Sequence, residues 1–469
     1  MGTSLDLADV QGNILNGYGS CFGYAVHLLL HADTAEAARR CLDRVEGRVT
    51  RATRWSPSRR PRTTLNVAVT YSGFERLGLR SALLDRFPEA FREGPSKRAA
   101  DLGDTGTSSP REWEDPLGSG QVHLLLTVCA QTPGDLSQAQ QQLREEFGSV
   151  PGLAVLTEQE TQELAHRREH FGYADGFSQP EIEGVERPSH HRAPSDSGVG
   201  VPLPDGRWRP VALGEFLLGH PDEDGLVDTE PHPDLVRNGS YVVYRKLEQD
   251  VPRFRALLTQ AADRTGLPPE LVAAKVMGRW RDGTPLATQP YRTPPGDLTD
   301  VANDQPDNDF RYLPDDRDGH RCPLGAHVRR VNPRDALDFG GALRDSGRLT
   351  ARHRILRRGM PYGDPYDPDR AEDPGERGLL FICFNADIAR QFETIQADWC
   401  NDGDSFGLGD DRDWFVGGAG GSGKMTIPTR DGRPRFVESR PDLVVTRGTE
   451  YLFAPGVQAL RKLAEGAFG

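Results

Sequence analysis

An α+β fold, with helices covering one face of an antiparallel sheet, is what the sequence predicts, and three observations predict it. The first half runs strand, helix, strand, short helix, strand, helix, strand. The second half begins the same way, as a loose structural copy in pattern without clear residue identity. At 469 residues the chain can bury a large core and form two domains or one big one.

In chain order, residues 22–30 (Phe-Gly-Tyr-Ala-Val-His-Leu-Leu-Leu) read as a buried strand. Residues 34–46 follow as a helix, with Asp33 as N-cap and Glu36 three residues on. Leu65, Val67, Val69 and Tyr71 alternate through 64–71, the period of a strand. Ser72 and Glu75 fit a capping box for a short helix. A strand at 121–129, a helix at 135–147 and a short strand at 152–156 complete the first half. Residues 185–210, rich in Pro, Ser, His and Gly, read as a linker or long loop, dividing the chain into 1–184 and 211–469. Beyond it come a strand at 240–247, a helix at 250–264, a strand at 379–384, a helix at 386–399 and closing strands at 442–446 and 451–453. Two stretches, 280–320 and 360–377, carry Asp, Pro, Gly and Arg with little apolar periodicity. Ordered loops of that length serve a site or an interface.

Charge narrows the function. The balance of 57 basic against 70 acidic residues gives −13, which argues against nucleic acid and anionic membrane as partners. No apolar run approaches the roughly 18 residues of a membrane span. The start, Met1-Gly2-Thr3-Ser4-Leu5-Asp6, has neither a basic n-region nor an apolar h-region, and Asp6 stands where a myristoylation signal needs Ser or Thr. The expectation is a cytoplasmic protein. Cysteines 21, 41, 129, 322, 383 and 400 form no Cys-x-x-Cys, which argues against a zinc ribbon and covalent c-type haem and suits reduced thiols.

Three motifs weaken on inspection. His166-Arg-Arg-Glu-His170 has inverted-zincin spacing but no apolar helical face, and runs straight into Gly172. Gly418 to Lys424 has the Gly-x4-Gly-Lys skeleton of a phosphate loop, but Met425 replaces the Ser or Thr that would hold magnesium. His190-His191 lies in the polar linker and reads as a solvated pair.

Three others gain from each other. Gly172 and Gly176 bracket Asp175 between Tyr173 and Phe177, either a turn aspartate or an acid in a partly dry pocket. In Cys322-Pro-Leu-Gly-Ala-His327, small residues leave room for something flat, and Arg329, Arg330 and Arg334 follow. A histidine in that positive field is a poor general base. It reads as structural, or as a neutral metal ligand with arginines pairing to cofactor carboxylates. Arg357 follows the apolar pair Ile355-Leu356, and a buried arginine there needs an anion such as Asp175.

Together these stretches resemble the dye-decolorizing peroxidases. Gly172-Tyr-Ala-Asp175-Gly176 is similar to that family's Gly-x-x-Asp-Gly motif, 322–334 to its proximal-histidine segment and 355–362 to its distal-arginine segment. Gln11-Gly-Asn-Ile-Leu15, Gly214–Gly219, Tyr241–Asp250 and Gln391–Gln396 extend the likeness along the chain, and the long loops suggest its larger members. The resemblance implies two ferredoxin-like halves forming a dimeric α/β-barrel-like haem peroxidase fold. His327 would be the axial ligand of one non-covalent haem b, oriented by Glu393 or Asp398. Asp175 would be the distal acid–base group and Arg357 the charge stabiliser, with Gly172 and Gly176 beside the cofactor. Hydrogen peroxide and an organic donor would be the substrates, with an acidic optimum. Bulky dyes would be oxidised at a surface residue, Trp414 being the choice. The thirty residues between His327 and Arg357 imply an insertion at about 335–350 near the haem edge. A haem carrier or sensor, or a haem-dependent oxidase acting on one metabolite, are the alternatives; the pairing of Asp175 with Arg357 favours the peroxidase. The sequence is compatible with an oligomer and shows no loading tag at Leu460–Gly469.

Overall fold

Runs of Leu, Val, Ile and aromatic residues build the strands, and both faces of most strands are buried. In a computed structural model, residues 5–18, 21–186, 198–203, 205–291, 308–337, 346–369, 375–418, 423–429, 432–438 and 442–469 are described. The first half contributes β1 (Tyr24–Ala32), β2 (Thr63–Thr70), β3 (Leu124–Ala130) and β4 (Leu153–Gln162). A small hairpin follows, β5 (Val201–Pro202) with β6 (Trp208–Arg209). The second half contributes β7 (Ser240–Gln249), β8 (Leu356–Arg357), β9 (Met360–Tyr362), β10 (Gly378–Asn385), the hairpin β11 (Lys424–Ile427) with β12 (Arg435–Glu438), and β13 (Val444–Ala454).

One nine-stranded antiparallel sheet has the order β4-β1-β3-β2-β13-β7-β10-β8, with β9 also on β10. Its left part is a ferredoxin-like unit. Helices Ala35–Glu46 and Pro133–Gly148 connect β1 to β2 and β3 to β4. The right part repeats the unit: β13, β7, β10 and β8 take the places of β4, β1, β3 and β2. Helix Val251–Thr265 and the helical segment Ala389–Cys400 fill the helix positions. The two units share the sheet through β2 and β13, where Leu452 pairs with Thr70.

Alternation along the strands explains the continuous apolar runs. Val26, Leu28, Leu30, Val67, Val69, Val243 and Phe453 face the helix-covered core. Leu29, Ala68, Val242, Tyr244 and Leu452 face the inner side, with Phe216 and Leu217 packed against them. A third core joins helix Val251–Thr265 to Phe171, Tyr173, Trp414 and Phe415.

Several expected details shift. Thr34 caps the first helix in place of Asp33, accepting from Ala37 N at 3.1 Å from an extended backbone. Thr70 likewise caps Tyr71–Leu77 in place of Ser72, accepting from Gly73 N at 2.9 Å. In both, the residue leaving the strand already aims its hydroxyl at the first free N–H groups. The short strand at 152–156 runs on to Gln162, because its polar second half keeps pairing with β1 as far as Tyr24. The two closing strands are one, β13, with a register shift between Thr446 and Gly448. Segment 389–400 is π-helical, as in the Glu393 N to Ile388 O bond of 2.9 Å. The linker 185–210 contains the β5–β6 hairpin, and His190-His191 lies outside the described residues. Of the 335–350 insertion, 338–345 is likewise outside and Ser346–Ala351 is helical.

Candidate active site

Two walls of one cavity carry the chemistry. The first begins at helix His327–Val331, whose two central arginines are turned into the protein. Arg329 is 1% exposed, donates to Asp316 Oδ2 at 3.2 Å and to Cys322 O at 2.7 Å, and stacks on Tyr312 at 4.3 Å. Arg330 is fully buried and donates to the carbonyls of Trp399, Asp402 and Asp411 at 2.7, 2.9 and 2.9 Å. These two do not line the cavity. The expectation that they bind cofactor is corrected: they point away from the cavity, donate to backbone carbonyls and to Asp316, and clamp the helix.

That clamp aims His327. Its Nδ1 donates to Asp413 Oδ2 at 2.8 Å, and its ring meets Phe415 edge-on at 5.6 Å. The carboxylate fixes the proton on Nδ1 and leaves Nε2 as a free lone pair. Asp413 is itself oriented, its Oδ1 accepting from Phe415 N and Val416 N at 2.9 and 2.8 Å. Burial raises its proton affinity, but His327 and these donors hold it below the usual carboxylate value. The acceptor is therefore neither Glu393 nor Asp398. Glu393 is held by Arg98 at 2.7 and 2.6 Å and by the Tyr451 hydroxyl at 2.9 Å, and Asp398 is exposed. The helical segment turns Phe392 and Ile395 toward the cavity instead.

The second wall is Asp175 with Arg357. Gly172 and Gly176 have φ of +92° and +93°, a region open to glycine, so the loop folds tightly around the acid. Asp175 Oδ1 accepts from Gly176 N at 2.6 Å and lies 3.1 Å from Arg357 Nη1. Arg357 comes from β8, and Gln179 locks its backbone, accepting from Arg357 N at 3.1 Å and donating to Arg357 O at 2.9 Å. Burial raises the proton affinity of Asp175, yet Arg357, Gly176 N and Arg279 together leave it below the usual value.

Val328, Val331, Phe415, Val416, Leu379 and Phe381 add an apolar lining. At the rim, Arg334 Nη1 donates to the carbonyls of Gly198, Asn308 and Phe310 at 2.8, 3.0 and 3.1 Å. Its Nη2 is buried with no hydrogen-bond partner among the described residues. Arg279 beside it is pushed down to about 10 by burial and by Arg334. The described residues thus present an apolar-lined cavity, the free Nε2 of His327 and buried guanidinium groups that call for an anion, which fits a haem with its carboxylates.

The remaining motifs resolve simply. His166 is exposed, whereas His170 is buried and donates through Nε2 to Tyr362 O at 2.8 Å. Among the described residues no cluster of three or more His, Cys, Asp or Glu can hold a metal ion. The phosphate-loop skeleton falls partly outside them, at 419–422. Trp414, expected at the surface, is 1% exposed, and its indole donates to Glu438 O at 2.9 Å inside the third core. The acids just before it are buried as well, Asp413 on His327 and Asp411 accepting from Thr426 N at 2.7 Å. Asp413 itself left one signal, an acid directly before the aromatic pair Trp414-Phe415.

Comparison with known proteins identifies the family. Residues 28–161 match the DyP dimeric alpha+beta barrel domain, and 221–408 match the Dyp-type peroxidase C-terminal domain. The multifunctional dye peroxidase DyP2 of Amycolatopsis sp. is 32% identical over 85% of this chain and 82% of its own length. Peroxidase 2 of Mycetinis scorodonius is 28% identical over 97% of this chain and 87% of its own length. The solved structure of an ancestral D-type dye-decolorizing peroxidase superposes with a TM-score of 0.81 at 27% identity, covering 98% of this chain and all of the other. The chain belongs to the DyP-type family of dye-decolorizing peroxidases, which are haem-dependent. It is an enzyme, a peroxidase, whose family acts on hydrogen peroxide. No described helix is long and apolar enough to cross a membrane.

Proposed function

We propose that the protein binds one haem b and reduces hydrogen peroxide while oxidising dyes, phenols or other organic donors, with Asp175 as acid–base group and Arg357 as charge stabiliser. The observation that carries this reading is the presence, on one cavity, of the His327–Asp413 pair and the Asp175–Arg357 pair. The proposal also keeps the division into 1–184, 185–210 and 211–469, a cytoplasmic site suited to six free cysteines, and Gly172 and Gly176 as shapers of the distal loop. Peroxidase 2, the dye peroxidases and a structure with 2,6-dimethoxyphenol among the relatives support the choice of donors.

When bound, haem iron supplies the electron transfer that breaks the peroxide bond. His327 Nε2 would hold the iron. Asp413, by accepting from Nδ1, makes that imidazole a stronger donor and fixes its plane. Arg334 and Arg279 would take the haem carboxylates. Asp175, ionised beside Arg357, takes a proton from one peroxide oxygen and delivers it to the other, so that the leaving group departs as water. Arg357 holds the negative charge that develops as the O–O bond lengthens, a preorganised contribution of about 3 kcal/mol. The test is an absorption spectrum of the purified protein with and without peroxide. A Soret band that shifts on adding peroxide is expected; a protein with no Soret band, or one that peroxide leaves unchanged, overturns the reading.

A further inference from the structure

One wall of the His327 cavity is borrowed from the other unit of the fold. Between β2 and β3 the chain crosses to the second unit, and residues 98–118 lie against it as a strap without β-strands. Leu102, Gly103, Asp104 and Ser108 of this strap line the cavity. Elsewhere the cavity is walled by Leu247, Leu379 and Val444 of the laddered strands β7, β10 and β13, and by the arginine-clamped helix of His327. The strap is held mostly by side chains instead. Arg98 donates to both oxygens of Glu393 at 2.7 and 2.6 Å. Asp104 accepts from both terminal nitrogens of Arg245 at 2.6 and 2.5 Å and from the Thr446 hydroxyl at 2.9 Å. Further on, Lys246 Nζ donates to Glu114 Oε2 at 2.6 Å.

The strap meets the Asp413 turn at a seam of two glycines. Gly103 and Gly418 both border the cavity and touch through their backbones. A Cβ added at Gly418 would stand 2.7 Å from Gly103 Cα and 2.9 Å from Gly103 O, closer than any side chain can approach. Asn401 spans the seam. Its Nδ2 donates to Leu102 O at 2.8 Å, and its Oδ1 accepts from Gly418 N at 2.7 Å. Gln396 Nε2 donates to the same Oδ1 at 3.1 Å and steadies the bridge.

We propose that the strap is the movable wall through which haem enters and leaves, and that Asn401 is the latch closing it on the Asp413 turn. The inference rests on the haem reading above. A rigid macrocycle needs an opening of its own width, and a wall of paired strands opens only by giving up successive ladder hydrogen bonds. The Asp413 turn cannot yield without stranding buried charges. The strap can lift at less cost. Lifting returns Asp104 and Arg245 to water together, and hydration offsets most of their lost attraction. The glycine seam interlocks no side chains, so it parts without unpacking. Burial of Leu102, 1% exposed, and the Asn401 bridge keep it shut at rest.

A latch that is the same with and without cofactor governs both directions of exchange. Two rates test it, each followed by absorption: haem release from the loaded protein to an excess of a competing haem-binding protein, and haem uptake by the protein freed of haem. Asn401→Ala should raise both by about ten-fold, the worth of one buried hydrogen bond, and leave the equilibrium affinity within about two-fold of wild type. Gly418→Ala, whose new Cβ wedges the seam, should raise both by about three-fold, and it decides the matter if Asn401→Ala does not fold. Release that rises alone, with affinity falling in step, would make these residues mere wall contacts of the cofactor and overturn the proposal. Unchanged rates beside a lowered melting temperature, the mark of a merely structural role, would overturn it too. Either result leaves the peroxidase reading standing, whereas wild-type protein that takes up no haem overturns both.

Discussion

His327 and Asp175 border the same cavity but are held in opposite ways. On the His327 side, two arginines of 1% and 0% exposure anchor a short helix to backbone carbonyls, and the partner Asp413 is wholly buried. Nothing there can move without stranding a buried charge, which costs several kcal/mol. On the Asp175 side, the acid has 52% of its side chain exposed and the arginine 34%, joined by a contact of 3.1 Å that is not an ideal bidentate pair. The two come from different units of the fold, one on a glycine-bracketed loop and one on a two-residue strand. The difference separates two tasks. A metal ligand must be fixed before its metal arrives, whereas a proton carrier must reach two atoms in turn.

If that separation is right, the walls should fail differently. The largest effect is expected from Asp175→Asn. It should slow the reaction with peroxide by about 10²–10⁴-fold, measured by stopped-flow absorption, with haem content unchanged. A wild-type rate in this variant would leave the step to Arg357. Next comes Arg357→Leu, expected to cost about 10²–10³-fold in the same measurement, again with haem retained. Loss of haem in either variant would show that the distal wall also carries binding and would erase the contrast. Asp413→Asn should do the reverse. Haem affinity, followed by transfer to a competing haem-binding protein, should fall about 10–100-fold, because the outer partner of a metal-bound histidine fixes its orientation. An unaltered affinity would mean that the helix clamp suffices without the carboxylate.

The same contrast explains what the sequence disclosed. Asp175 and Arg357 sit in short local patterns, a glycine bracket and an apolar pair before an arginine, that survive in one dimension. Asp413 lies 86 residues from His327 with no periodic relation to it, so only the fold brings them together. Arg329, Arg330 and Arg334 look alike in sequence, but helix His327–Val331 turns the first two away from the cavity, while the third lies beyond the helix, at a left-handed φ of +57°, and lines it. Glu169 was legible only as part of a His-x-x-Glu-His pattern, because its partners are the backbone amides of Phe171 and Tyr173 and the distant side chain of Gln249, which no local side-chain spacing records. Among the elements, β3 and β10 are apolar on both faces, and β1 and β7 over most of a half, so all four are legible. The polar end of β4 and the π-helical turns at 389–400 are not, since they depend on tertiary packing.

The smallest expected effect concerns pH, and its sign follows from the distal wall alone. The folded Asp175 holds its proton less tightly than the ordinary value of 3.8, because Arg357, Gly176 N and Arg279 outweigh the partial loss of hydration inside the cavity. A carboxyl depressed in this way is ionised above its lowered value and loses its charge only as pH falls through it. The base is therefore in its working form even where ordinary carboxylates have begun to protonate, and the peroxide reaction should persist into acid, with its loss below about pH 4 rather than above it. Any stability drawn from the Asp175–Arg357 pair is present above the unfolded value and disappears in the same acidic window. Replacing Arg357 by Leu removes the first of the lowering influences, so the acid limb of the remaining activity should move up in pH, toward or past the ordinary value. The measurement is the rate of reaction with peroxide between pH 3 and 8 in both proteins. An optimum well above neutrality, or an acid limb that stays in place without Arg357, would mean that the half-exposed ion pair is already screened by water in the cavity. The distal wall would then be as passive electrically as the proximal wall is mechanically fixed.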